Sequence, residues 1–198
     1  MSVAIVLLAA GTSSRFGSLK QVEVLDDGRS LVRRAADTAL ATGLPLWVVT
    51  GAQDDRVRAE LAGLSLRVVH NLDWASGMGG SLSCGVRAAE PNAEALIVML
   101  ADQPLVTVDD LYALLREHAP HPGSIVAAEY DSVIGPPCLF PARDFPDLIA
   151  LEGDRGARAV LRQQAQRVRR VAMPNAALDV DTAEDLARAA ALLGGPSA

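Results

Sequence analysis

The segment L-A-A-G-T-S-S-R-F-G-S-L-K, Leu8 to Lys20, concentrates groups that handle phosphate. Ala9, Ala10 and Gly11 let a ligand approach the main chain closely. Thr12, Ser13 and Ser14 offer hydroxyls, and Arg15 and Lys20 place two cations within a few residues. That set suits a triphosphate, with Leu8, Ala9, Ala10, Gly11, Arg15 and Lys20 as its contacts. It is neither G-x-x-x-x-G-K-[ST] nor G-x-G-x-x-G, so the P-loop and dinucleotide fingerprints are absent. A glycine-bearing turn with solvated charges is the competing explanation, and the position directly after an apolar strand argues against it. Asp102, in A-D-Q-P, closes another apolar run. A carboxylate at a strand's carboxyl end is well placed to hold Mg²⁺ against phosphate oxygens; a turn or capping aspartate is the alternative. Asp181 is the second metal candidate, although Thr182 and the carboxylates after it already explain that segment as a helix start.

W-A-S-G-M-G-G-S-L-S-C-G, from Trp74 to Gly85, offers glycines beside Ser81. Through Gly80 and Ser81 such a loop can wrap a base or ribose, or it is a flexible connection with Ser81 as an ordinary N-cap. Trp74 reads as a packing anchor rather than a stacking platform. Arg155 and Arg158 suit an acceptor phosphate, yet their spacing is also that of a solvated helix edge. His70, His118 and His121 lack metal-ligand spacing, and a solvated loop accounts for the last two.

The elements that must position these residues follow from periodicity. VAIVLL (Val3 to Leu8), LWVVT (Leu46 to Thr50), LRVV (Leu66 to Val69) and ALIVML (Ala95 to Leu100) read as four buried strands. Segments with apolar residues every three or four positions separate them, one capped by Ser30 and stopped at Gly43, another starting at about Ser81. Thr107 caps the next helix, IVAAEY forms a strand, and the pattern from Asp131 to Pro137 loosens into a turn before a short strand, CLF. Helices around Phe145 and Ala157, a strand VRRVAM and a helix after Thr182 complete the chain. The expected architecture is a single α/β domain over residues 1–198, a Rossmann-like three-layer sandwich with a mostly parallel sheet of roughly seven strands.

Composition narrows the partners. With 198 residues, 50% hydrophobic and 21% charged, the chain can bury a sizeable core. A net charge of −6 without a Lys/Arg run speaks against nucleic acid or an acidic membrane surface as partner. Two distant cysteines exclude a disulfide scaffold and fit a reducing cytoplasm. Neither an export signal nor a membrane-spanning run is expected.

The Leu8–Lys20 segment resembles the signature loop of the MobA-like nucleotidyltransferases, and especially their molybdenum cofactor cytidylyltransferase branch. N-L-D-W-A-S-G-M-G-G-S-L-S-C-G, L-A-D-Q-P-L-V, G-P-P-C-L-F, G-D-R-G-A-R and D-V-D-T-A-E-D-L follow in the family order and extend the likeness over nearly the whole chain. Phe16 departs from the family's methionine, and Val22-Glu23-Val24 from a leucine-rich stretch. The resemblance implies the nucleotide-diphospho-sugar transferase fold, with nucleotide bound by the N-terminal part and acceptor by roughly residues 130–182. It also implies attack by an acceptor phosphate on the α-phosphorus of a nucleoside triphosphate, with Arg15, Lys20 and Asp102 as catalytic residues and Mg²⁺ at Asp102. L-A-A-G, rather than L-A-G-G, points to CTP, with molybdopterin as acceptor and a molybdoenzyme as recipient. Another phosphorylated acceptor, such as a sugar or polyol phosphate, and a non-catalytic molybdopterin carrier are the alternatives. A carrier has no need of Arg15, Lys20 and Asp102. Cys138 raises the idea of a molybdenum or dithiolene contact, but beside Leu139 and Phe140 it reads as a small buried side chain.

Overall fold

The computed structural model describes residues 2–11 and 20–194. Its first strand, β1 (Val3–Ala9), is apolar on both sides, because alternation sends Ile5 and Leu7 into one core and Ala4 and Val6 into another. Such a strand belongs inside a sheet. β1 pairs in parallel with β2 (Leu46–Thr50) and β4 (Ala95–Leu100), and β3 (Arg67–His70) adds to the far side of β2. Helices α1 (Leu31–Leu40), α2 (Asp54–Glu60) and α3 (Met78–Ala89) make the crossovers. After α4 (Val108–His118) come β5 (Ile125–Tyr130), β6 (Val133–Pro141), α5 (Phe145–Ile149), α6 (Ala157–Gln163), β7 (Val168–Ala172) and α7 (Ala183–Gly194). The seven-stranded sheet has the order β3-β2-β1-β4-β6-β5-β7, and β6 alone runs against its neighbours. Side chains of α1, α2 and α4 fill one face, and those of α3, α5 and α6 fill the other. This is the expected single-domain α/β sandwich, and among the described residues no helix is long and apolar enough to cross a membrane.

Three elements differ from expectation, each for a local reason. β3 is an edge strand and only half-buried, so its apolar run over-reads its depth. β6 is nine residues long, beginning straight after a turn in which Asp131 and Ser132 both take positive φ. Pro136 and Pro137 fall where the β5–β6 register shifts, and at that irregularity their missing N–H groups cost no regular ladder bond. α3 starts at Met78, not near Ser81; Met-Gly-Gly is a weak helix opening that packing enforces.

That packing is tight. The Gly79 N–H donates to the Gly153 carbonyl at 2.8 Å, and a Cβ on Gly79 would lie 2.8 Å from the Glu152 backbone. A Cβ on Gly77, where φ is +115°, would lie 2.4 Å from the Gly153 carbonyl carbon. Two of these glycines therefore let helix α3 press against the 152–154 segment. Gly79→Ala, which in a solvated helix would stabilise by about 1 kcal/mol, is expected here to destabilise by about 1–3 kcal/mol. Urea unfolding of the variant decides the sign.

His118 corrects the solvated-loop expectation, because it ends α4 with its side chain fully buried. Burial pushes its pKa below the ordinary 6.5, the Ser124 backbone only partly opposing. The unfolded chain takes up that proton first as pH falls, so this contribution is complete above the unfolded value and is lost on acidification. Wild type is expected to lose more stability than His118→Leu between pH 7.5 and 5.5 in urea titrations. Equal losses would remove His118 as the cause.

Candidate functional site

A cleft of about 760 Å³ opens at the carboxyl edge of the sheet, the edge at which parallel α/β sheets present ligand-binding loops. Leu8, Ala10 and Gly11 line it at the end of β1. Gln21 donates through Nε2 to the Gly11 carbonyl at 3.0 Å and holds this turn. Ala9 points the other way, into the core with Ile5 and Leu7, because strand alternation carries through to the last residue. Ala10 is 6% exposed and lies close against Gly51, so most of its methyl is committed to packing and little of it faces the cleft. Arg15, Thr12, Ser13, Ser14 and Phe16 lie outside the described residues.

Lys20 stands at the centre. Its Nζ donates to Asp102 Oδ2 at 2.8 Å and to Asp181 Oδ1 at 2.7 Å, with the lysine side chain only 12% exposed. Burial works against the ammonium, but the two aspartates outweigh it and hold the Lys20 pKa above its ordinary value. Backbone contacts bring these segments together: the Ala101 N–H donates to the Leu8 carbonyl, and the Val180 N–H to the Asp102 carbonyl at 2.8 Å. Gln103 Nε2 reaches the Ala176 carbonyl at 3.0 Å and secures the approach to Asp181. Thr182 does start α7, exchanging hydrogen bonds with Asp185, so Asp181 both precedes a capped helix and faces the cluster.

Asp179 is a cleft residue that the motif reading passed over. Buried Val180 separates it from Asp181, and both aspartates line the cleft. Burial first, then the Asp102 charge, raises its pKa to about 6, with Arg158 opposing. The signal was available in the i, i+2 spacing. Asp102 Oδ1 is buried without a hydrogen-bond partner among the described residues. Two carboxylates converging on one cation, one of them with an orphaned oxygen, fit a divalent ion. No third side chain joins them in a ready-made metal set among the described residues, and Mg²⁺ commonly completes its shell with phosphates and water.

The remaining expectations divide. Ser81 lines the cleft from inside α3, 4% exposed, and its hydroxyl accepts from Asn71 Nδ2 at 3.0 Å; the N-cap position belongs to Gly77. Gly80 does not line the cleft, its Cα facing the Ser76 hydroxyl. Trp74 packs on the core, as expected, and also lines the cleft. Arg155 and Arg158, with Arg162, line the opposite wall of the cleft while remaining solvent-exposed. Tyr130, which sequence reasoning did not single out, accepts from Arg158 Nη2 at 3.0 Å, and a Cβ on Gly135 would lie 2.8 Å from Arg158 Nε. Cys138 is fully buried in the core, and burial pushes its thiol pKa far up.

Residues 5–168 match the MobA-like NTP transferase domain. The chain is 36% identical over 196 residues to nicotine blue oxidoreductase of Paenarthrobacter nicotinovorans, covering 92% of this chain and 94% of that one. It is 33% identical over 169 residues to the purine catabolism protein PucB of Bacillus subtilis (strain 168), covering 79% of each. The crystal structure of Rv0371c from Mycobacterium tuberculosis H37Rv superposes with a TM-score of 0.80 at 29% identity, over 96% of this chain and 98% of that one. A structure of the same protein in complex with manganese gives 0.76 at 28% identity over the same shares. The chain, with the nucleotide-diphospho-sugar transferase fold, belongs to the family of MobA-like NTP transferases.

Proposed function

We propose that this nucleotidyltransferase moves CMP from CTP to the phosphate of a molybdopterin-type acceptor and releases pyrophosphate, the product passing to a molybdoenzyme. The observation that carries the reading is the continuity of one cleft from the Leu8–Gly11 turn, past Lys20 and its aspartates, to the wall of Arg155, Arg158 and Arg162. In the transfer, an acceptor phosphate oxygen bonds to the α-phosphorus while the bond from that phosphorus to its β-bridging oxygen breaks. Pyrophosphate leaves with the electron pair. Such a reaction asks for positioning and charge neutralisation rather than a covalent nucleophile.

The chain's residues divide that work. The main chain of residues 8–11 and the Ser81 hydroxyl are set beside the base and ribose, and Lys20 and Arg15 neutralise the triphosphate and the departing pyrophosphate. Asp102 and Asp181 would hold a divalent cation, Mg²⁺ in this reading, whose charge offsets the phosphate oxygens; the manganese complex of Rv0371c supports that choice of site chemistry. Arg158, braced by Tyr130, orients the acceptor phosphate with Arg155. The preference for CTP rests on the L-A-A-G likeness.

A second reading comes from the Paenarthrobacter relative, which is named an oxidoreductase. Purified protein with Mg²⁺, molybdopterin and each of the four nucleoside triphosphates is expected to release pyrophosphate fastest with CTP. A faster reaction with GTP sinks the cytidylyl assignment; a reaction only with sugar or polyol phosphates moves the acceptor. No release with any of them would leave the oxidoreductase reading standing in its place. Lys20→Ala and Arg15→Ala are each expected to slow turnover by about 10² or more. Asp102→Ala should abolish the metal-dependent rate with the fold intact by circular dichroism.

A further inference from the structure

Lys20 is the only lysine in the chain; every other one of its 18 basic residues is arginine. It lies between Asp102 and Asp181 with both carboxylates at hydrogen-bond distance from one ammonium. We infer that Lys20 is an internal counter-ion that competes with the divalent cation for these two carboxylates and exchanges onto phosphate when the metal takes them. The inference rests on the metal role proposed above for the two aspartates.

Exclusion follows from size and charge. A Mg²⁺ ion binds oxygen at about 2.0–2.1 Å, so an ion sharing both carboxylates on the lysine's side would overlap the ammonium. On the opposite side, a double positive charge would sit a few ångströms from a single one and share the same anions. Either way the ammonium is driven out. The residue type suits such an exchange. An arginine fork would grip a carboxylate through two parallel bonds, whereas an ammonium on a four-carbon stem makes point contacts and swings to another anion. Lys20 lines the cleft, so phosphate entering there offers the displaced charge a new partner. Metal and triphosphate therefore help each other to bind through one side chain, and linkage requires that help to be reciprocal.

The test needs no turnover. Mn²⁺ binding to the full chain without nucleotide, read by electron paramagnetic resonance, is expected to tighten on the order of 10-fold in Lys20→Met. In wild type, inorganic triphosphate should tighten Mn²⁺ binding by more than it does in that variant. Protein grown on lysine labelled with ¹⁵N at Nζ gives one ammonium signal, because there is one lysine. Saturating Mg²⁺ should abolish that signal's protection from solvent exchange. Unchanged or weaker Mn²⁺ affinity in Lys20→Met overturns the exchange, as does a protected Nζ signal that persists at Mg²⁺ saturation. Neither outcome touches the nucleotidyl-transfer reading, which stands or falls on pyrophosphate release. Should Lys20→Met fail to fold, the wild-type signal still decides.

Discussion

The clasp of Lys20 on Asp102 and Asp181 fixes the geometry on which the rest of the cleft depends. It draws together three stretches that are remote in sequence: the segment after β1, the end of β4 and the approach to α7. With Asp179 beside them, the floor of the cleft carries more carboxylate than ammonium. Burial, with the Asp102 charge adding to it, raises the pKa of Asp179 to about 6. A triphosphate cannot settle on such a floor unaided. The acidic floor favours a cation, and Arg155, Arg158 and Arg162 line the same cleft.

The reversed strand β6 gives this division its spatial form. Because β6 runs against its neighbours, its beginning, not its end, lies at the ligand-bearing edge. The tight turn at Asp131 and Ser132 thereby places Gly135 and Pro136 beside Arg158. The parallel half of the sheet, with its helical crossovers, sets out the Leu8–Gly11 side of the cleft, and the hairpin of β5 and β6 sets out the arginine side.

Much of this was legible in the sequence wherever one local rule governed. Apolar runs with β-branched residues marked the strands, and Ser30, Thr107 and Thr182 marked helix starts that the hydrogen bonds bear out. The pairing of Lys20 with two aspartates was not legible, since it depends on how far apart three loops end, which no periodicity encodes. The length of β6 was hidden because Gly135, Pro136 and Pro137 read as a turn, when Gly135 pairs in the strand and the prolines occupy a register irregularity. The α3 start was hidden by glycines whose purpose is contact with a distant segment. His118 looked exposed between prolines, and only tertiary packing covers it. Asp179 was within reach, since D-V-D sets a second carboxylate two residues from Asp181.

The seam between α3 and residues 152–154 also limits how this architecture can diversify. The helix that carries Ser81 and the segment that leads into Arg155 touch backbone to backbone, with no side chain between them to shrink or grow. Lengthening the 152–154 segment would move the helix and, with it, the Ser81 side of the cleft. Exchanging side chains on the arginine wall leaves the seam intact. The cleft is therefore reshaped more readily by exchanging residues such as Arg155, Arg158 and Arg162 than by inserting loop. Variation among descendants of this chain should accumulate as changes of chemistry on a framework of constant length.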